Sequence, residues 1–405
     1  MNALGFERIL GGVCAPEGFL AAGVACGIKD EGKPDLAIVY SERPASAAGV
    51  FTTNQMKAAP VMLSGERVLG GSAQAVVVSS GNANAMTGGR GVSDALAMVD
   101  AVEKALGVPS GQALVASTGH IGEYLPMERV LSGIEQATAE LSPGGNTDAA
   151  KAIMTTDTYP KELAVEMIIA GRTVRLGAMA KGAGMIHPNM ATMISVITTD
   201  ANLTNEVMQH WLEQAVEWSF NRASIDGDQS TNDTVVMLAN GAAMSEGYEM
   251  TRDEAELFFE ALCWLTGHLA MALVKDGEGA SRLIRVVVNG ARENSEAVRI
   301  AHAIANSTLV KCSFYGAQPN WGRIAAAAGS AGIPLDQSLI KIALGEHTVA
   351  ENGVPVAFDE DELREILKRD EVEITVHLGL GEGSAYYLTC DLSAEYVEFN
   401  AGEKS

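Results

Sequence analysis

The stretch that decides the fold is Lys181–Asp200, which reads KGAGMIHPNMATMISVITTD. Its first part is rich in glycine, proline and asparagine, residue types that allow the backbone to turn sharply. From Thr192 onward the segment is apolar and β-branched, which predicts a strand. Because the apolar run is nearly continuous, both faces of that strand are expected to be covered. A threonine hydroxyl therefore stands where a turning loop becomes a strand.

The same alternation of apolar runs and turns extends along most of the chain. Runs rich in Val and Ile predict strands at 36–40, 74–80, 113–117, 172–180, 192–199, 234–239, 283–288 and 372–380. Patterns with helical period predict helices at 94–106, 204–220, 252–275 and 294–305. The alternation predicts an α/β protein in which layered sheets are covered by helices.

Turn and cap residues predict several boundaries. Ser93 is expected to cap the helix that follows it, and Gly107 is expected to end that helix. Segments 146–162 and 344–362 read as surface connections. A length of 405 residues is large for a single core, and a domain boundary is expected near 280–290.

Composition and charge exclude several classes of protein. The net charge of −23, from 28 basic and 51 acidic residues, argues against binding to nucleic acid or to an anionic membrane. Five cysteines lie far apart without a CxxC pair, which favours a reducing compartment. Glu7 and Arg8 interrupt the region where a signal peptide would be apolar, and no later run reads as a membrane span. These features predict a cytoplasmic protein.

Motifs for metals and nucleotides fail on inspection. The segment 226–233, DGDQSTND, resembles a calcium loop, but Thr231 replaces the glycine of the sharp turn and Met237 replaces the bidentate glutamate. GLGEGS at 379–384 joins two predicted strands, which favours a β-hairpin turn over a nucleotide loop. The seven histidines are scattered. We therefore expect no metal and no cofactor.

The Ala191–Thr192 junction has two interpretations. Thr192 can simply begin a strand for which threonine has a high propensity. Alternatively, its hydroxyl attacks the Ala191 carbonyl, and an acyl shift followed by hydrolysis leaves Thr192 as a new N-terminus. The α-amine of such a residue titrates near about 8 and can act as its base. The Thr118–Gly119 pair, at the end of a predicted strand, offers a hydroxyl and a backbone N–H for an oxyanion hole.

At this point the chain resembles the ornithine acetyltransferases of arginine biosynthesis, which are glutamate N-acetyltransferases and in some cases also N-acetylglutamate synthases. The resemblance covers almost the whole chain. It rests on KGAGMIHPNMATM at the junction, FTTNQMKAAPV (51–61), SSGNANAMTG (79–88), STGHIG (117–122), IMTTDT (153–158), DGDQSTNDT (226–234), KDGEGA (275–280), PNWGRI (319–324) and the terminal EFNAGEKS.

This resemblance implies a self-processing enzyme with an N-terminal threonine nucleophile. The precursor would cut itself into an α chain (1–191) and a β chain (192–405), with a C-terminal α/β domain from about 285, and the chains would form an α2β2 assembly. Thr192 would take acetyl from N2-acetylornithine and pass it to L-glutamate in ping-pong order. Whether acetyl-CoA is also an acetyl donor stays open.

The resemblance also implies a set of site residues. Thr118 and Gly119 match the oxyanion hole, Lys181 would pair with a substrate α-carboxylate, and Glu278 would bind the side-chain ammonium of ornithine. The substrate-binding positions are Thr155, Lys181, Thr192, Glu278, Asn400 and Ser405. Thr155 and Thr156 are adjacent, so the choice between them is open. By themselves these residues also fit a solvated lysine, a loop glutamate and a polar tail.

Two other functions are consistent with the residues. One is an N-terminal-nucleophile amidohydrolase or aminopeptidase, which transfers the acyl group to water. The other is an amino-acid-binding protein with an intact chain and no catalysis.

Overall fold

Strand β9 (Ile194–Thr199), the apolar end of the opening stretch, lies inside a six-stranded sheet of the computed structural model, which describes residues 5–187, 193–245 and 247–402. All six residues of β9 are buried, as the sequence predicts. The sheet order is β1-β7-β8-β9-β11-β4. Its other strands are β1 (Phe6–Ile9), β4 (Ser46–Phe51), β7 (Lys161–Ile169), β8 (Arg172–Lys181) and β11 (Thr234–Ala239).

The register of this first sheet places three distant segments side by side. Ile194 lies opposite Lys181 of the antiparallel strand β8 and opposite Thr234 of the parallel strand β11. The end of β8, the beginning of β9 and the beginning of β11 therefore meet at one edge of the sheet.

A second sheet faces the first. It has the order β2-β3-β5-β6, with β2 (Phe19–Val24), β3 (Leu36–Ser41), β5 (Ala75–Asn82) and β6 (Ala113–His120). One buried cluster contains Met179 and Val196 from the first sheet together with Val76 and Leu114 from the second. The two sheets thus share a core, and alternate residues of each strand point away from it.

Helices cover the outer faces of both sheets. Helices α5 (Asn205–Glu217) and α6 (Arg252–Lys275) pack on the first sheet, and α1 (Ala59–Val68), α2 (Gly88–Leu106) and α3 (Met127–Ala139) pack on the second. The layers run helix, sheet, sheet, helix. The predicted α/β class with helix-covered sheets is confirmed.

A third sheet is built mainly from the C-terminal part of the chain, with the order β10-β17-β12-β16-β13-β14-β15. It surrounds a separate hydrophobic cluster that runs from Ile284 to Tyr387. The predicted division into domains near 285 stays a prediction. The elements are β10 (Ala223–Ser224), β12 (Leu283–Ala291), β13 (Lys341–Leu344), β14 (His347–Glu351), β15 (Val354–Pro355), β16 (Glu371–His377), β17 (Gly383–Cys390), α7 (Asn294–Ala305), α8 (Thr308–Tyr315), α9 (Trp321–Gly329) and α10 (Glu360–Leu367), followed by α11 (Ala394–Gly402).

Two predicted helix ends have different outcomes. Helix α2 begins at Gly88, so the prediction that Ser93 caps it is wrong: the Ser93 hydroxyl donates to the Gly89 carbonyl inside the helix. The glycines at 88, 89 and 91 have low helix propensity, which hid the first turn. The predicted end at Gly107 is confirmed, since that glycine has a left-handed φ of 68°.

Three predicted connections are also wrong. Segment 146–162 contains helix α4 (Asn146–Ala152), whose buried alanines pack against β2, and it continues into the site described below. Segment 344–362 forms β14, β15 and the beginning of α10 rather than a surface connection. GLGEGS is not a hairpin turn, because β16 and β17 lie on opposite sides of β12 and the segment crosses over its end.

Among the described residues, α6 is one helix that is long and apolar enough to span a membrane by length and composition alone. The expectation that no run has this property is therefore wrong. Half of its apolar window is buried inside the protein, and Phe258, Leu265 and Leu269 face the core beneath the first sheet. The helix is apolar because it covers a sheet.

Candidate active site

The site begins at the carboxyl ends of β5 and β6, where Thr118 and Gly119 lie opposite Ser80 and Gly81. Gly119 has a φ of 128°, and a Cβ atom there would lie 2.3 Å from the Gly81 carbonyl carbon and 2.5 Å from the Asn82 nitrogen. Only glycine fits both this backbone conformation and this close approach. The Thr–Gly pair is therefore fixed by the register of two parallel strands.

Lys181, at the end of β8, connects the two sheets at this point. Its side chain is 2 % exposed, and Nζ donates to Thr155 Oγ1 at 2.8 Å and to Thr118 Oγ1 at 3.3 Å. An ammonium group can only donate, so both hydroxyls accept from it and each keeps its own proton for another acceptor. The lysine thereby orients the Thr118 hydroxyl as a donor.

Burial lowers the pKa of Lys181, and the ammonium of Lys161 acts in the same direction. The carboxylates of Asp157, Glu278 and Asp233 oppose that shift. Removing a neighbouring negative charge would therefore favour the neutral amine.

A buried ion network holds this wall in place. The Asp157 carboxylate accepts from Lys161 Nζ at 2.6 Å, from the Gly182 backbone N–H at 2.7 Å and from the Thr155 N–H at 3.0 Å. Lys161 Nζ also donates to Asp276 Oδ2 at 2.5 Å. One carboxylate thus fixes the backbone on both sides of the Lys181–Thr155 contact.

The buried ionised groups of this network are stabilised by neighbours of opposite charge. Burial by itself would raise the pKa of Asp157, but the ammonium groups of Lys181 and Lys161 outweigh it and lower that pKa from 3.8 to about 2. Asp157, Lys161 and Asp276 were given no role by the sequence. Asp157 and Asp276 could have been recognised as site residues because they lie in the motifs IMTTDT and KDGEGA, on which the family resemblance rests.

Glu278 and Asn400 form the opposite side of the site. Asn400 Nδ2 donates to Glu278 Oε2 at 3.0 Å, and the Glu278 backbone N–H donates to the Ala183 carbonyl at 2.8 Å. A Cβ at Gly184 would lie 2.5 Å from a carboxylate oxygen of Glu278, so the loop after β8 approaches this side chain because it carries glycine.

A cavity of about 100 Å³ lies between these groups. Every predicted site residue within the described part of the chain lines this cavity, namely Thr118, Gly119, Thr155, Lys181, Glu278 and Asn400. Thr156 lines it as well. The choice between Thr155 and Thr156 as a substrate contact stays open. Ala191, Thr192 and Ser405 lie outside the described residues.

The segment DGDQSTND anchors the backbone on both sides of the predicted nucleophile loop. Asp226 accepts from the Met185 N–H at 2.6 Å and the Ile186 N–H at 3.0 Å. Asp233, fully buried, accepts through Oδ1 from the Met193 N–H at 3.0 Å. Within residues 5–187, 193–245 and 247–402, no group of three His, Cys, Asp or Glu side chains lies together as metal ligands would.

Asp233 is a third buried acid to which the sequence assigned no role. Burial raises its pKa well above 3.8, and Oδ2 has no hydrogen-bond partner among the described residues. Met193, which it binds, directly follows Thr192 in the sequence. A buried carboxyl group therefore binds the backbone of the second residue after the predicted cut.

Comparison with known proteins now decides the family. The ArgJ family model matches residues 20–405. This chain belongs to the ArgJ family. It is 45 % identical to the arginine biosynthesis bifunctional protein ArgJ of Synechococcus sp., with 99 % of each chain covered, and 46 % identical to that of Symbiobacterium thermophilum, with 98 % of this chain and 100 % of the relative covered. The family predicted from the sequence is confirmed.

Solved structures of similar chains cover about half of this one. ArgJ of Bacillus halodurans is 39 % identical, covers 51 % of this chain and 98 % of its own, and has a TM-score of 0.49. The ornithine acetyltransferase of Mycobacterium tuberculosis, solved with ornithine, is 44 % identical, covers 45 % of this chain and 98 % of its own, and has a TM-score of 0.42.

The site of this ArgJ family member has a definite chemical character. One buried ammonium, one carboxylate and several hydroxyls face a cavity too small for more than a compact ligand. Such a cavity suits a zwitterionic small molecule, whose carboxylate and ammonium need partners of opposite charge.

Proposed function

We propose that this protein is the glutamate N-acetyltransferase of cyclic arginine biosynthesis, an acyltransferase that moves acetyl from N2-acetylornithine to L-glutamate through an acetyl-Thr192 intermediate. The observation that carries the proposal is the Lys181 contact with Thr118, which aims an oriented hydroxyl at the cavity beside Glu278. ArgJ membership over nearly the whole chain supports the same activity.

The first step is self-cleavage. The Thr192 hydroxyl attacks the Ala191 carbonyl carbon, the acyl group shifts from nitrogen to oxygen, and water releases it. The α chain (1–191) and the β chain (192–405) remain together and pair as α2β2. Asp233 supports this step, since it accepts from the N–H of Met193, the second residue after the cut, and its Oδ2 has no hydrogen-bond partner among the described residues.

Acetyl transfer then uses the new terminus. The α-amine of Thr192 takes the proton from its own hydroxyl, whose oxygen attacks the acetyl carbonyl of N2-acetylornithine. The carbonyl oxygen becomes negative and accepts from the Thr118 hydroxyl and the Gly119 N–H. The carbon–nitrogen bond breaks, and ornithine leaves with the proton on its α-amine. The α-amine of glutamate attacks the acetyl-enzyme in the reverse sequence.

Charge complementarity fixes the two substrates in one pocket. Lys181 uses two of its three donors on Thr155 and Thr118, which leaves one for the α-carboxylate that both substrates carry. Glu278 accepts from the side-chain ammonium of ornithine, and Asn400 and Ser405 close the pocket with neutral hydrogen bonds. Because both ligands share the amino-acid backbone, one pocket serves both half-reactions.

The reaction needs a nucleophile, a base and an oxyanion hole, so we propose that it uses no cofactor and no metal. We also propose a cytoplasmic enzyme. Transfer to glutamate rather than hydrolysis requires that water be kept from the acetyl-enzyme.

The test is Thr192→Ala. We expect a single band near the full mass of 42.3 kDa on a denaturing gel and no acetyl transfer. Thr192→Ser is the matched control and should retain cleavage, because it keeps the hydroxyl. Fragments of normal size from Thr192→Ala would overturn the proposed nucleophile. Consumption of acetylornithine at the same rate without glutamate would replace the transferase by an amidohydrolase.

A further inference from the structure

The C-terminal helix α11 lies beside the cavity, although none of its residues is buried. Gly279, in the KDGEGA motif, has a left-handed φ of 64°, and a Cβ atom there would lie 2.5 Å from the Tyr396 backbone nitrogen. Glycine therefore allows the helix to approach the segment that carries Glu278. A helix with so little buried surface depends on specific contacts to keep its position.

Two side chains of α11 make contacts of that kind, each with a carboxylate. Tyr396 Oη donates to Asp226 Oδ2 at 3.3 Å, and Asn400 Nδ2 donates to Glu278 Oε2 at 3.0 Å. The two donors are four positions apart, which places them on the same face of the helix. Asn400 Nδ2 also donates to the Tyr396 carbonyl at 3.0 Å, so the two contacts are linked within the helix.

Asp226 connects Tyr396 to the loop after β8, residues 183–186. Its carboxylate accepts from the backbone N–H groups of Met185 and Ile186, and the Ile225 N–H donates to the Ile186 carbonyl at 2.9 Å. Met185 has a φ of 54°, a conformation that a residue with a side chain adopts at an energetic cost. Contacts with the surrounding structure must therefore hold this loop in place.

The same loop also contacts Glu278, which closes a ring of contacts. The Glu278 N–H donates to the Ala183 carbonyl at 2.8 Å, and Gly184 closely approaches the Glu278 carboxylate. Residues of this ring line the cavity; these are Gly184, Met185, Glu278 and Asn400. The orientation of Glu278 therefore depends on the loop and on α11 together, and Tyr396 joins these two elements through Asp226.

Both side-chain donors on α11 are neutral. Burial raises the pKa of Tyr396, and the nearby carboxylates of Asp226 and Glu278 raise it further, so the phenol keeps its proton at neutral pH. A phenol or an amide donates a hydrogen bond to a carboxylate without cancelling its charge. Glu278 therefore keeps its negative charge for a cationic ligand, whereas an ammonium donor on α11 would neutralise it.

We propose that Tyr396 is a positioning residue for acetyl transfer, which holds Asp226 and the loop 183–186 so that Glu278 faces the side-chain ammonium of N2-acetylornithine. The inference rests on the proposed function, because that function assigns the ammonium to Glu278. Residues 183–186 belong to the proposed α chain, whereas Asp226, Glu278 and Tyr396 belong to the β chain. The contacts of Tyr396 and Asp226 therefore also hold the two chains together beside the substrate after self-cleavage.

This role predicts an effect on one substrate. Loss of the Tyr396 hydroxyl should loosen the ammonium side of the pocket, so the KM for N2-acetylornithine should rise at least about fivefold, as for the loss of one hydrogen bond. Glutamate has no side-chain ammonium, so its KM should stay within about twofold. The value of kcat should also stay within about twofold, because strands of the second sheet fix the Thr118–Gly119 pair.

The test is Tyr396→Phe, which keeps the ring and removes the hydroxyl. Tyr248→Phe is the matched control, since the Tyr248 hydroxyl also donates to a carboxylate, that of Glu254 at 2.8 Å, and Tyr248 does not line the cavity. Amide hydrogen exchange of segment 183–187 in the processed enzymes, read by mass spectrometry, measures how firmly the loop is held. We expect exchange at least about fivefold faster in Tyr396→Phe and unchanged in Tyr248→Phe.

Steady-state kinetics with each substrate accompany the exchange measurement. The proposal is overturned if the loop of Tyr396→Phe exchanges at the parental rate, or if Tyr248→Phe shows the same changes. It is also overturned if the KM for N2-acetylornithine stays at the parental value or rises together with the KM for glutamate. Because hydrogen exchange needs no turnover, it tests the contact of Tyr396 with the loop even in an enzyme that transfers no acetyl. An inactive parent would instead contradict the proposed function.

Discussion

Asp157→Asn removes the carboxylate that links the buried ion network to Lys181. The parent side chain accepts from Lys161, Gly182 and Thr155, and the amide can replace few of these contacts because one of its two polar atoms donates. Lys161 keeps Asp276 as its remaining partner. The fold should survive, with a weaker site.

The stability cost can be worked from the titration of Asp157. Its pKa falls from 3.8 to about 2 on folding, which corresponds to about 2 kcal/mol. Because the folded-state pKa is the lower one, this stabilisation is present above pH 3.8 and is lost as the pH falls towards 2. At pH 7 the variant should therefore unfold at lower urea concentration than the parent.

The effect on catalysis follows from Lys181. Asp157 supports the charged form of this buried lysine, so its loss lowers the Lys181 pKa further. An opposite charge at close range favours the charged form of a lysine. The alkaline limb of kcat/KM should therefore move to lower pH, while the acid limb, set by the Thr192 α-amine, should stay in place.

The assay is the pH profile of ornithine release by the processed enzyme. Asp336→Asn is the matched control, since Asp336 is an exposed carboxylate whose hydrogen bonds go to Ser338. An alkaline limb at the parental pH, together with parental urea resistance, would refute the view that Asp157 sustains the charge of Lys181.

Three further predictions concern single side chains. Thr118→Val removes the oriented donor and should lower kcat by about 10²–10³-fold with little change in KM. Stopped-assay kinetics on the processed enzyme measure this loss. The control Thr138→Val, on the surface of α3, should not change kcat. Glu278→Gln should raise the KM for N2-acetylornithine at least about tenfold, because it weakens a charge-assisted hydrogen bond to the side-chain ammonium. Glutamate has no side-chain ammonium, so its KM should not rise. Parallel increases in KM for both substrates would contradict the assigned contact. Phe258→Ala in the core beneath the first sheet should cost about 3–5 kcal/mol of unfolding free energy, measured by urea denaturation, and the exposed Val207→Ala should stay within about 0.5 kcal/mol.

Local sequence patterns account for much of the layered architecture. Strand β9 could be predicted because five of its six residues are apolar or β-branched, and α6 and α7 have the predicted bounds. The patterns gave wrong predictions at two helices. The first turn of α2 was missed because glycine has low helix propensity, and the short alanine-containing helix α4 was predicted as a surface connection. In both cases packing against a sheet outweighed the local propensity.

The residues of the candidate site could likewise be predicted from the sequence only in part. Sequence motifs singled out Thr118, Gly119, Lys181, Glu278 and Asn400, and the structure brings them to one cavity. They could be recognised because each lies in a motif that carries the family resemblance. Asp157, Asp233 and Asp276 lie in such motifs as well, but the sequence assigned them no role, because their burial and their partners follow from the tertiary structure.

The sequence by itself determined most of the elements and the family, and it predicts the position of the reactive hydroxyl, since these depend on residue type and on spacing within short segments. The tertiary structure decided that two sheets share one core and that Lys181 faces Thr118, which is 63 positions away. It also decided that Lys161 is neutralised by Asp276, 115 positions away. A buried charge is stable only beside its partner, and strand register, which sets that distance, is fixed when the sheets pack.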